Sequence, residues 1–238
     1  MSPYTQPVRF HRLLAGIAII GCPLAGVLSS IFDANEGTDT AGPDLYGIAL
    51  GHSQGIWIAG LLFILSAILT VPTAFGLLHL SAGPGATLGN IGAIFLILGG
   101  FGHMGYGTWQ LMVARIPGPG DPATLGEYFD RASDVNMILL PMLMSIIVGL
   151  ILTALAAHRS RAVPGWVPGL LIAVAAFDFI ASSTALGDNK WTAVITWGLA
   201  LIGLSYVGAT VLRMTDDTWA DLYPQRTQQA PTLQPVAD

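Results

Sequence analysis

Apolar residues in this chain form long blocks instead of alternating with polar residues. A helix needs about 20 residues to cross the hydrocarbon core of a bilayer, and six of the blocks are long enough to do so. Charged residues or glycine and proline bound each block, as at 83–85 and 117–120. The pattern therefore predicts an all-α fold, a polytopic membrane bundle of six transmembrane helices. The predicted spans are about 13–32, 55–79, 87–114, 136–157, 166–186 and 191–212.

Composition supports the same class of protein. Of the 238 residues, 53% are hydrophobic and only 10% are charged, and the mean hydropathy is +0.65. Soluble domains carry about 25% charged residues. The net charge of −5 leaves no basic patch to neutralise phosphates, which argues against a nucleic-acid partner. The lipid bilayer is thus the predicted environment.

The chain divides into a single transmembrane bundle, 1–214, and a polar tail, 215–238, that is predicted to be disordered. Arg9, His11 and Arg12 precede the first apolar block as in a signal peptide. That block is long enough to span, however, and acidic residues follow it where a cleavage site would need small ones. We therefore expect a retained first helix.

The distribution of basic residues predicts the orientation of the bundle. If the N-terminus is cytoplasmic, six of the nine Lys and Arg residues lie inside and three outside, which favours N-in, C-in by the positive-inside rule. The inside group is Arg9, Arg12, Arg159, Arg161, Arg213 and Arg226, and the outside group is Arg115, Arg131 and Lys190.

Asp178 is the only acidic residue predicted at membrane depth, within the apolar run 170–185. An ionised group there costs at least ~2.5–3.5 kcal/mol, so a partner or a use is expected. Asp178 lies twelve residues before Lys190, and His103 lies twelve residues before Arg115. Twelve helical residues rise ~18 Å, which predicts a similar depth for both groups. Three roles stay open for Asp178: a structural hydrogen bond between helices, an acid or substrate anchor, or a relay.

The third predicted span carries a stripe of small and polar residues. Gly99, His103, Tyr106, Gly107 and Gln110 share one helix face through steps of three and four. Such a face is typical of close helix packing through small residues. Alternatively, the glycines make room for a ligand and the polar side chains line its cavity.

Further candidates lie toward the outer ends of the predicted helices. Together with the stripe they give a predicted substrate-binding set of Tyr106, Trp109, Gln110, His52, Gln54, Ser182 and Trp197. Two histidines and a carboxylate form a recognised metal-ligand set, but no HxxxH or HxxE spacing supports one here. We predict no cofactor, and leave open a haem or metal held by His52 and His103.

One stretch resembles a known group of proteins. Residues 50–55 read Leu-Gly-His-Ser-Gln-Gly, followed by an apolar run to Val71-Pro72 and then Gly76-Leu77-Leu78-His79. This is similar to uncharacterised actinobacterial six-helix integral membrane proteins. The resemblance implies a bacterial origin and a multi-pass protein of the cytoplasmic membrane. Those proteins commonly have proline-glycine after the histidine, where this chain has Ser53-Gln54-Gly55.

Three functional classes fit these residues. The first, which we favour, is a membrane enzyme that acts on a hydrophobic substrate, of the isoprenoid cyclase or isomerase type. In this hypothesis Asp178 is the acid and His103 its partner, while Tyr106, Trp109 and Trp197 stabilise a carbocation. The second class is a small-molecule transporter or receptor with an outward-facing polar pocket. The third is a non-catalytic accessory protein. The sequence leaves the oligomeric state open.

Overall fold

The computed structural model describes residues 5–33, 43–115, 127, 136–182 and 190–222. This part of the chain is helical and contains no strand, which confirms the all-α prediction. The helices are α1 (Thr5–Phe32), α2 (Pro43–Leu80), α3 (Ala86–Val113), α4 (Asn136–Arg159), α5 (Trp166–Ser182), α6 (Lys190–Arg213) and the short α7 (Asp216–Asp221). A 3-10 turn, Gly83–Gly85, joins α2 to α3.

Five of the long helices, α1 to α4 and α6, are apolar and long enough to cross a membrane. The apolar part of α5, Trp166–Ala181, is shorter. A helical membrane bundle is therefore confirmed in outline, while the count of six spans and the N-in, C-in orientation stay predictions.

Two helices, α1 and α2, begin before the predicted spans. α2 begins at Pro43 rather than near residue 55, because a kink at His52 joins a further helical segment to the spanning part. α5 is described from Trp166 to Ser182, and the last predicted residues of this span, 183–186, lie outside the described part. The remaining predicted ends agree with the structure to within two residues, except that α1 begins at Thr5, eight residues before 13.

The six long helices pack as a closed ring. Each packs against its neighbours in the chain, and α6 packs against α1. Along each helix pair, later residues of one helix contact earlier residues of the other, so neighbouring helices are antiparallel. Between α1 and α2, Cys22 contacts Thr70 whereas the later Ser29 contacts the earlier Ala59. Between α1 and α6, Gly16 lies against Leu212 and Gly26 against Trp197. We call the end of the ring that carries α7 the α7 end, and the opposite end, at Arg115, the Arg115 end.

Glycines bring α3 close to both of its neighbours. A Cβ on Gly99 would lie 2.6 Å from the Ile146 side chain of α4, and one on Gly107 would lie 2.9 Å from a backbone oxygen of α2. At Gly102 the nearest atom is the Leu143 backbone nitrogen, at 2.7 Å. These glycines therefore serve close helix packing. The space beside them holds neighbouring backbone and side chains, not a ligand.

The α7 end is held together by Arg12. Its Nε is 2.9 Å from Asp216 Oδ1, and its guanidinium also donates to the carbonyl oxygens of Val211 and Leu212, at 3.3 and 2.8 Å. Carbonyls in the last turn of a helix have no partner within the helix, so Arg12 caps α6 while it binds α7.

Part of the segment predicted as a disordered tail is ordered. Thr215 caps the N-terminus of α7 by accepting a hydrogen bond from the Thr218 backbone N–H. The buried Trp219 stacks on His79 with ring centroids 3.9 Å apart, and His79 Nε2 donates to the Trp219 carbonyl oxygen at 2.6 Å. The first residues of the predicted tail thus form a helix that packs on the bundle. Residues 223–238 lie outside the described part.

Candidate functional site

A cavity of about 70 Å³ lies at the centre of the helix ring, and each of the six long helices contributes to its wall. This is less than half of the ~150 Å³ cavity that accommodates benzene in another protein. Most of the wall is aliphatic. The side chains with a polar atom are Cys22, Thr70, Thr73, Asp178, Thr196 and Trp197.

Hydrogen bonds join several of the polar groups on α1 and α2 at or beside this wall. Cys22 Sγ is 3.4 Å from Thr70 Oγ1 and 3.6 Å from Ser66 Oγ. Ser66 donates to the Cys22 carbonyl oxygen, and Thr70 donates to the Ser66 carbonyl oxygen. These bonds link the two helices at the middle of the bundle.

Three other polar groups on the wall lack partners. Thr73 and Thr196 are 4% and 7% exposed, and neither hydroxyl has a hydrogen-bonding partner. The half-buried Asp178 forms no hydrogen bond or ion pair in the part of the chain that the structure describes. Buried polar groups in folded proteins are nearly always paired, so three unpaired groups on one cavity call for an explanation.

The register of α5 and α6 places Asp178 and Thr196 at the same level of the cavity wall. The two helices meet where Leu171 touches Gly203. Asp178 lies seven residues after Leu171, and Thr196 lies seven residues before Gly203. Seven residues are close to two helical turns, so in antiparallel helices both residues come to the same level and the same side. Although both line the cavity, they are not bonded to each other.

Trp197 lies between this cavity and His103. Its ring centroid is 5.4 Å from that of His103. On the side of α1 it lies against Gly26, where a Cβ would come within 2.6 Å of the indole. His103 also meets the ring of Phe63 edge-on at 4.7 Å. Glycine at position 26 thus leaves the room that the indole occupies.

The structure does not bring the two predicted partners, Asp178 and His103, into contact. No hydrogen bond or ion pair joins them in the described part of the chain, and His103 Nδ1 is buried without a partner. The predicted match in depth counts from Asp178 to Lys190 across residues 183–189, which lie outside the described part, so it stays a prediction.

Among the other predicted site residues whose side chains the structure describes, Trp197 alone lines this cavity. Gln110 Nε2 donates to Asp33 Oδ2 at 3.0 Å and so ties the end of α3 to the end of α1. Tyr106 packs edge-on against Phe63 at 5.3 Å. Trp109 is half-buried near the end of α3, and His52 and Gln54 are exposed at the kink in α2. Ser182 ends α5, and its side chain lies outside the described part.

Sequence reasoning missed Thr73 and Thr196. A single threonine in an apolar helix forms no periodic pattern. It also gives no sign of an unpaired hydroxyl, because a carbonyl of its own helix can accept the hydroxyl proton. The useful signal for Thr196 was its spacing of seven residues from Gly203, a position where α5 approaches closely. That spacing has meaning only once the α5–α6 contact is known.

Comparison with known proteins adds no assignment. No protein-family model matches the chain. No curated protein matches it significantly, and no solved structure does so either. Among the described residues there is no group of three or more His, Cys, Asp or Glu side chains that could hold a metal ion. The function must therefore be argued from the cavity and its polar groups.

Proposed function

We propose that this protein binds a small polar or charged molecule inside the helix ring, with Asp178 as the anchor. The observation that carries this proposal is the set of unpaired groups, Asp178, Thr196 and Thr73, on one central cavity. An unpaired polar group in an apolar interior costs free energy. A bound molecule that hydrogen-bonds to these groups removes that cost.

The polar groups are arranged so that the ligand enters from one side. Asp178 lies toward the Arg115 end, whereas leucines, among them Leu77 and Leu204, surround the cavity toward the α7 end. In the proposed N-in, C-in orientation the Arg115 end faces outward from the bacterial cytoplasmic membrane. A receptor, or a transporter in its outward-facing state, would have this arrangement.

A membrane enzyme is the second candidate, and Trp197 is the observation in its favour. An acid that protonates an olefin must stay neutral in an apolar pocket, and an aromatic face beside it stabilises the resulting cation. Asp178 and Trp197 share one such wall. We rank the enzyme second because a cavity of about 70 Å³ admits an isoprenoid only if the helices separate. Its predicted partner His103 also lies behind Trp197.

A pair of matched threonine variants tests the binding proposal. Thr153 is as buried as Thr196, but its hydroxyl donates to the Gly149 carbonyl oxygen at 2.8 Å. Valine has nearly the same shape as threonine. We expect Thr196→Val to leave the free energy of unfolding in detergent unchanged or to raise it. Thr153→Val should lower it by about 0.5–1.5 kcal/mol, the net value of one hydrogen bond.

The same comparison separates a binding site from a structural one. If Thr196→Val destabilises the protein as much as Thr153→Val does, Thr196 already has a structural partner and the binding proposal is wrong. For the enzyme, Asp178→Asn should abolish turnover of a prenyl olefin or epoxide in nanodiscs. Turnover at the wild-type rate would contradict an acid role for Asp178.

A further inference from the structure

We infer that the cavity takes a small monovalent cation with N–H groups, an ammonium or short primary alkylammonium ion, held between Asp178 and Thr196. This inference rests on the proposed function, because it specifies the ligand of the same cavity. It follows from the charge, the hydrogen-bonding geometry and the size of the site.

The charge of the site points to a cation. Asp178 is the only charged side chain on the cavity wall as the structure describes it, since no Lys, Arg or His lines the cavity. An ionised carboxylate at membrane depth needs a counter-charge. Because the wall supplies none, a cationic ligand is the partner that lets Asp178 be ionised there.

The hydrogen-bonding groups point to N–H donors. An ionised carboxylate only accepts hydrogen bonds, and the threonine hydroxyl can accept as well. Asp178 and Thr196 lie at the same level on facing helices without a bond to each other. An ion with several N–H groups can donate to both oxygens at once, and bonds to a charged acceptor are the stronger kind.

Trp197 favours an ammonium ion over a metal ion. Its indole forms part of the same wall and is held in place by Gly26 and His103. A cation near an indole face is stabilised by the ring quadrupole. Hard metal ions instead require about six or more oxygen ligands, far more than this largely aliphatic wall presents.

The volume sets an upper limit on the ligand. A cavity of about 70 Å³ is too small for a benzene-sized molecule. Ammonium and methylammonium are smaller than that and need no rearrangement of the helices, whereas a bulky quaternary amine would force α5 and α6 apart.

Thermal unfolding in nanodiscs tests the inference. We expect ammonium chloride and methylammonium chloride to raise the unfolding midpoint in a saturable way, since a ligand of the native state stabilises it by mass action. Sodium chloride at the same ionic strength should not, because Na⁺ has no N–H group. Tetramethylammonium chloride carries the charge without N–H donors and should not either.

The variants identify the site of binding. Asp178→Asn should raise the apparent Kd for methylammonium by roughly a hundredfold or more, and Thr196→Val by roughly three- to tenfold. Thr153→Val should bind as the wild type does. A wild-type response in Asp178→Asn, or an equal response to tetramethylammonium or sodium, would overturn the inference.

Its failure can be told apart from failure of the proposed function. If neither N–H cation shifts the midpoint while Thr196→Val leaves the unliganded protein as stable as the wild type, the cavity is a binding site for another ligand. If Thr196→Val alone destabilises the unliganded protein as Thr153→Val does, the binding site itself is refuted.

Discussion

His103 packs in the helix bundle through the faces and edges of its ring and not through hydrogen bonds of Nδ1. It is 4% exposed, its Nδ1 has no partner, and its contacts are with the rings of Phe63 and Trp197. The sequence singled out His103 and Asp178 because each interrupts an apolar run. It could not tell whether they meet. That depends on how the helices are rotated against one another, which apolar runs do not encode.

We predict that His103→Phe is tolerated. The phenyl ring keeps the contacts with Phe63 and Trp197 and removes a buried nitrogen that has no partner. The free energy of unfolding in detergent should stay within about 1 kcal/mol of the wild type or rise, whereas His103→Ala should lose about 3 kcal/mol through the cavity it leaves. A large loss in His103→Phe, measured by denaturant titration, would mean that the imidazole is hydrogen-bonded after all.

At the scale of the helix, the boundaries were easier to predict than the faces. Most predicted spans end close to the observed helices, because charge and glycine-proline pairs limit the apolar blocks. The short α7 was missed since its six residues carry no apolar block, although Thr215 followed by Asp216 and Asp217 is a typical helix start. The glycine stripe of α3 was visible in the sequence. Its two interpretations, close helix packing and a ligand cavity, differ only in where α2 and α4 lie, which the sequence does not give.

The glycines give a matched test of close packing. A Cβ on Gly102 would lie 2.7 Å from the Leu143 backbone nitrogen, whereas one on Gly198 of α6 would meet nothing within 4 Å. Alanine has the higher helix propensity by about 1 kcal/mol. We therefore expect Gly198→Ala to keep or raise the unfolding midpoint in detergent and Gly102→Ala to lower it by several degrees. Equal midpoints for the two variants would contradict the α3–α4 contact.

At the scale of the whole molecule, composition was enough to predict a membrane helix bundle, and closure of the ring was not predictable. The hydropathy of a segment depends on residues that are near each other in the sequence. The contact between α1 and α6 instead joins the first and the last long helix, which are far apart in the sequence. Residues such as Gly16 and Gly208 mark that contact only in retrospect, because glycines are common throughout this sequence.

Two exposed glycines allow a test of the orientation. Gly51 lies at the Arg115 end and Gly165 at the α7 end, and neither would place a Cβ within 4 Å of another group. The native Cys22 is buried and should not react. In an N-in, C-in protein, a membrane-impermeant maleimide should label Gly51→Cys in intact cells. It should label Gly165→Cys only after the cells are permeabilised. The reverse pattern would show that the orientation is inverted.

The closed ring also bears on the biogenesis of this protein. Arg12 enters the membrane region with the first helix, yet two of its partners are carbonyls at the end of α6 and the third is Asp216 of α7. During synthesis the guanidinium therefore lacks these partners until nearly the whole of the described chain has been translated. A nascent chain that stalls before α6 therefore carries Arg12 on α1 without any of these three partners.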